Sequence, residues 1–159
     1  MHPSILHAVQ IQGVNTGLFT RALEGVTAGE ALRRPCEDTN PLLWIAAHLV
    51  TTRCYLGKVV GLDCEVPWGA RFARSAALDL SAGLPPVEEV LAKWNEISAA
   101  LAVRFEQLGE AELAASAGGF PSVDQTARGA LAMAALHDSY HVGQMAYLRK
   151  ALGHGRLVG

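Results

Sequence analysis

Apolar residues in this chain recur with a period near 3.6, and strict alternation of apolar and polar residues is almost absent. A period of about 3.6 lines one face of an α-helix, whereas a half-buried strand needs a period of two. The pattern therefore restricts the chain to an all-α fold. Four helices are expected. The first covers roughly residues 4–24, with Ser4 after Pro3 as its cap and Ile11, Val14, Leu18 and Ala22 on one face. The second starts in DTNPLLWIAAHL, with Asn40 as N-cap and Pro41 at the first helical position, and stops at Gly61. The third follows Leu84-Pro85-Pro86 and carries the cleanest stripe of the chain: Val87, Val90, Leu91, Trp94, Ile97, Leu101 and Phe105. The fourth has Ser122-Val123-Asp124-Gln125 as its capping box and runs to about Leu152, just before Gly153.

Four amphipathic helices of this length make a four-helix bundle the default architecture, in a single domain over residues 1–159. The connections 25–40 and 109–121 are moderate, but 62–86 runs to about 25 residues, long for a structureless linker. It can cross from one end of a bundle to the other, or lie over a site as a lid. Half the residues are hydrophobic, yet no apolar run is long enough to span a bilayer. The start, MHPSILHAVQIQG, lacks the basic and apolar regions of a signal peptide. Cys36, Cys54 and Cys64 are odd in number and form no Cys-x-x-Cys, which fits a reducing cytoplasm. A net charge of −2 and a pI near 6.3 offer no basic face for nucleic acid. The expectation is a soluble cytoplasmic protein with no nucleic-acid or membrane partner.

Near the C-terminus the chain reads HDSYHVGQMAYLRKALG. Residues four apart on a helix are rotated by only about 40°, so His137 and His141 meet on one face. Gln144 falls on nearly the same line, and Met133, Ala134, Tyr140 and Leu148 flank it, so the pair points inward. A buried imidazole needs a partner for each ring nitrogen, and a divalent metal ion satisfies one per ring. The alternative is a pair of core histidines hydrogen-bonded across the bundle. The second helix shifts the balance. There Pro41, Trp44, Ile45, His48, Thr52, Tyr55, Leu56 and Val59 trace one stripe, with His48 in its middle. Three nitrogen donors with an open fourth position describe a catalytic type of site for zinc or a neighbouring transition metal.

WIAAHL in the second helix, combined with HDSYHVGQMAYLRKALG in the fourth, resembles the DinB-like (YfiT-type) superfamily of small bacterial four-helix metalloproteins. The resemblance covers essentially the whole chain in length and helix order. It implies metal ligation by His48, His137 and His141, and the run from His141 to Gln144 is also similar to the family's. It implies an up-down-down-up bundle with a long crossover between the second and third helices, and a homodimer. It further implies one divalent ion, zinc or nickel, and a metal-dependent transferase or hydrolase acting on a small molecule. Some relatives of this kind use a low-molecular-weight thiol, such as bacillithiol or mycothiol, as cosubstrate, and others have no assigned reaction. The rival reading is a non-catalytic dimeric metal-binding or helical interaction protein of the stress response. The family name refers to DNA-damage induction, but this acidic chain gives no support for DNA binding.

Asp138 makes HDSYH superficially similar to the zincin HExxH. Aspartate is one methylene shorter than glutamate, and His154 lies in a Gly-flanked tail, so no third zincin ligand follows. Asp138 is expected as a surface charge or as the acceptor for a ligand imidazole. A di-iron site would need Glu-x-x-His on two helices, which the chain lacks. His7 lies on the inner stripe of the first helix, in a packing or solvent role, and His2 is a tail residue. Cys54 is about 240° round the helix from His48 and faces away from the site. Cys36 and Cys64 read as loop cysteines. Arg71 and Arg74 either neutralise an acidic substrate or are exposed loop charges.

Overall fold

The computed structural model describes residues 1–73, 76, 79 and 83–158. Its regular structure, among the described residues, is helical: α1 (Leu6–Leu23), α2 (Ala28–Ala31), α3 (Leu42–Val59), α4 (Val87–Gln107), α5 (Glu110–Ala114) and α6 (Ala127–Ala151). The four long helices are the four expected from periodicity; α2 and α5 are single turns inside two of the connections. Helix α1 packs against α6 and α4, and α3 packs against the same two. No helix among the described residues is long and apolar enough to cross a membrane.

Local chemistry explains where these helices stop. At the end of α3, Gly61 takes φ +84°, the Leu62 amide donates to the Gly57 carbonyl and the Gly61 amide to that of Lys58. This double closure satisfies carbonyls that would otherwise be orphaned, and it needs a residue without a Cβ. Gly153 repeats the device after α6 at φ +92°, its amide bonded to Lys150 and that of His154 to Arg149.

The start of α6 departs from expectation. No capping box forms over residues 122–125; the N-cap is Thr126, whose hydroxyl accepts from the Gly129 amide. Asp124 instead accepts from the Thr126 amide at 3.0 Å and from its hydroxyl at 2.7 Å, with Gln125 at φ +67°. An aspartate-centred turn thus uses the side chains that the box required. The turn folds back over the helix so closely that a Cβ on Gly129 would lie 2.0 Å from Asp124 Oδ1. A complete box does occur in the short α2, between Thr27 and Glu30. Helix α3 begins one residue late, with Pro41 at its N-cap position.

The inner face of α1 also differs. Ile11 and Val14 are 46 % and 63 % exposed, while Gln12, Asn15, Phe19, Ala22 and Leu23 are buried. Gln12 donates to the Leu131 carbonyl, and Asn15 donates to the Ala135 carbonyl and the Ser139 hydroxyl of α6. Those partners let two amides occupy the interface in place of aliphatic side chains. Helix α4 follows its stripe, with Val87, Val90, Trp94, Ile97, Leu101 and Phe105 buried and Trp94 stacked on Phe19. Helix α3 is buried on nearly every side from Leu42 to Thr51. In the long connection, Trp68 and Phe72 are buried where the 3-10 turn Gly69–Phe72 packs on α3.

Candidate metal centre

Packing of α3 on α6 brings the three candidate ligands together. His48 comes from the middle of α3, and His137 and His141 from one face of α6. One ligand atom from each lies within 4.8 Å of the other two, and the ring centroids are 4.5–5.1 Å apart. His48 is buried and stacks on Trp44; the other two rings are half-buried. The three are therefore close enough to hold a single metal ion, and they are the one such group among the described residues.

The hydrogen bonds assign most of the protons. Nδ1 of His48 is 2.6 Å from the Phe72 carbonyl, which can only accept, so Nδ1 carries the proton and Nε2 a lone pair. Nδ1 of His141 is 2.7 Å from Oε1 of Gln144, whose amide nitrogen donates to Tyr140. By the same logic Nε2 of His141 is free to coordinate. Nε2 of His137 faces Nε2 of His48 at 3.1 Å, while its Nδ1 has no partner and lies 3.8 Å from Oδ1 of Asp138. Either neutral tautomer of His137 leaves a conflict. A proton on Nε2 turns the Nδ1 lone pair toward a carboxylate; a proton on Nδ1 opposes two lone pairs at 3.1 Å.

Positive charge among the three Nε2 atoms resolves that conflict, and a divalent ion is a group of the required kind. The donor set suits it: three imidazole nitrogens, two of them on rings already oriented by an oxygen acceptor. Burial lowers the pKa of His48, and the neighbouring His137 adds to the effect. His141 is pushed down to about 4, by burial first and by the charge of His137 second, against the opposing bond from Gln144. Both rings are thus held in the neutral form that ligates metal.

The cluster opens into a cleft of about 1010 Å³ with walls from α3, α6 and residues 116–121. Trp44, Phe120 and Met133 make it largely apolar, and Thr52 and Tyr55 add hydroxyls. Among its described lining residues Lys58 is the one Lys or Arg and there is no Asp or Glu, although the Lys58 ammonium lies 3.8 Å from Glu65 just outside. A lid was one of the two roles expected for the long connection, the other being a crossover. Among its described residues only Ala73 lines the cleft, and the opposite wall is the connection between α5 and α6. What residues 62–86 do contribute is the Phe72 carbonyl that orients His48. Arg71 is tied to the carbonyls of Gly83 and Asp79 and lines a separate cavity of about 100 Å³. Arg74 lies outside the described residues.

Sequence reasoning missed the other polar feature of these helices. Arg53 and Asp138, 3 % and 1 % exposed, form a buried ion pair at 2.8 Å. Arg53 also donates to Thr16, Ser98 and the Gln12 carbonyl, and its guanidinium lies 3.6 Å over the Trp94 ring. The pair thereby ties α1, α3, α4 and α6 together. Asp138 is thus no surface charge. A signal was present: Arg53 is the one Lys or Arg in the first 16 residues of α3. The other histidines and cysteines stay outside the site. His7 is exposed beside Gln10, contrary to an inner position, and His2 caps a 3-10 turn. Cys54 donates to the Cys64 carbonyl, and burial, aided by the neighbouring Cys64 side chain, pushes its thiol up to about 12, far from a nucleophilic thiolate. Cys36 and Cys64 do not line the cleft.

Fold and cluster define an all-helical protein with a candidate site for one metal ion. A model of the DinB superfamily matches residues 15–145, a range that holds all three histidines together with Arg53 and Asp138, and the chain belongs to that superfamily. Searches of curated proteins and of solved structures found no match.

Proposed function

We propose that this DinB-superfamily protein is a metalloenzyme in which His48, His137 and His141 hold one divalent ion, zinc or nickel. The observation that carries the reading is the convergence of three imidazole nitrogens within 4.8 Å, beside a cleft large enough for a small molecule. An ion held there supplies Lewis-acid chemistry, lowering the pKa of a donor molecule at its open position. The protein's own residues do the rest. The Phe72 carbonyl and Gln144 keep two rings in the ligating tautomer. Trp44, Phe120 and Met133 keep the cleft largely dry, and Lys58 attracts an anionic group on the substrate.

The reaction class is transfer or hydrolysis on a small molecule, with a low-molecular-weight thiol as cosubstrate. Family resemblance supports the thiol, and Lys58, the one Lys or Arg among the described lining residues and only 3.8 Å from Glu65, suits a carboxylate of such a compound. The same reading includes one domain over 1–159, built as an up-down-down-up bundle with residues 62–86 as crossover. Support comes from the pairing of α1 and α3 with the same two neighbours. It includes a cytoplasmic location, supported by three cysteines that form no disulfide. It also includes a homodimer, supported by exposed Ile11 and Val14 on α1 and Leu136, Tyr140 and Tyr147 on the adjoining α6. Sedimentation should return twice the chain mass; a monomer at micromolar concentration would remove that part.

Metal analysis of protein purified without chelators tests the central claim. One equivalent of ion is expected, lost in His141→Ala. A screen of thiol and electrophile pairs should then show ion-dependent turnover. Ion without turnover on any pair favours a binding module, and a chain that takes up no ion overturns both.

A further inference from the structure

The bond between Arg53 and Asp138 is lopsided. Nη2 and Nε of the guanidinium, at 2.8 and 2.9 Å, both reach the same carboxylate oxygen, Oδ2. A guanidinium fork ordinarily engages both oxygens of its partner. Here Oδ1 is buried and has no hydrogen-bond partner among the described residues. The Nδ1 of His137, 3.8 Å away, is buried and partnerless too. Leaving one such atom unsatisfied is costly; two that face each other call for a common explanation. A pattern in the cluster supplies it. His48 and His141 each give Nδ1 to an oxygen acceptor, and His137 is the ring that lacks one.

We propose that Asp138 is a positioning residue for His137: its Oδ1 accepts the Nδ1 proton and so keeps Nε2 as the lone pair turned toward His48 and His141. This rests on reading the three rings as ligands. A small swing of the imidazole converts 3.8 Å into a hydrogen bond. The carboxylate does not move to meet it, because Arg53 anchors it. Arg53 is itself fixed by Thr16 at 2.8 Å, Ser98 at 2.5 Å, the Gln12 carbonyl at 3.1 Å and the Trp94 ring. The aim of one ligand is therefore set from the interior, by residues of α1 and α4 that never touch the cleft. A bare counter-ion for Arg53 would have no reason to present its free oxygen to this ring.

The test separates positioning from stability. In zinc-loaded wild-type protein, nitrogen NMR of the imidazoles should find the His137 proton on Nδ1; a proton on Nε2 overturns the proposal. Replacing a buried ion pair with apolar side chains is often neutral or stabilising, so the double variant Arg53→Met/Asp138→Leu should remain folded. Its zinc affinity, measured by chelator competition, should nonetheless fall by about 10–100-fold, the usual loss when a ligand's outer partner is removed. Unchanged affinity overturns the proposal. Should the double variant fail to fold, Asp138→Asn replaces it, with weakened binding expected and unchanged binding decisive against. A wild-type chain that takes up no zinc removes the metal reading instead. In that event the ion-free His137 decides: Nδ1–H supports the pairing, and a ring protonated only on Nε2 ends it.

Discussion

The histidine cluster and the Arg53–Asp138 pair occupy the same two helices, with Arg53 five residues after His48 and Asp138 directly after His137. Both are polar groups in an apolar setting, yet they meet the cost of burial in opposite ways. On the Arg53 side of the pair, five donor contacts find four acceptor atoms and an aromatic face within the protein, and only Oδ1 of Asp138, beside His137, is left without a partner among the described residues. Among the histidines, lone pairs converge and the protein offers no donor that settles all of them. A polar cluster the chain completes by itself is cohesive; one it leaves incomplete is prepared for something else.

The largest effect that can break this contrast comes from the ion pair. Arg53→Ala strands a buried carboxylate, and urea unfolding should show a loss of about 3–5 kcal/mol. Next is zinc, which acts on the histidine cluster. At a free concentration 100 times its Kd, it should stabilise the wild type by about 2.7 kcal/mol, read as a raised melting temperature that a chelator reverses. His141→Gln comes third: it should remove the zinc response while changing ion-free stability by about 1 kcal/mol or less. Equal losses from Arg53→Ala and His141→Gln in the ion-free protein would erase the distinction. The last effect is the pH slope. The folded pKa of His141, about 4, lies below its unfolded value of about 6.5, so the unfolded chain binds more protons between them. Ion-free stability should therefore be full above pH 6.5 and decline toward pH 4, and His141→Gln should flatten that decline in pH-dependent unfolding.

Much of the site was legible because its ligands obey local rules. A four-residue spacing puts His137 and His141 on one face whatever surrounds them, and His48 could be placed on its stripe by periodicity alone. The left-handed stops at Gly61 and Gly153 were legible for the same reason. Misreadings arose where a distant partner intervened. Ile11 and Val14 look like core residues until Gln12 and Asn15 are given α6 carbonyls and a serine hydroxyl to bind. Ser122 and Asp124 look like a capping box until the chain folds back over Gly129. The cleft wall at 116–121 carries no sequence signal of its own; it is placed by the turns on either side.

Periodicity and short-range spacing alone determined that this chain is helical, how many long helices it has, and that His48, His137 and His141 lie on inward faces, though the same reading wrongly put His7 on one as well. Tertiary structure decided the rest: which polar groups find partners, where the cleft opens and which nitrogen of each ring is left to coordinate. The physical reason is range. Helical hydrogen bonds and side-chain faces repeat every few residues, so the local sequence contains them. The tautomer of His48 depends on a carbonyl 24 residues away, and the burial of Arg53 on a carboxylate 85 residues away, so only the folded chain can supply either.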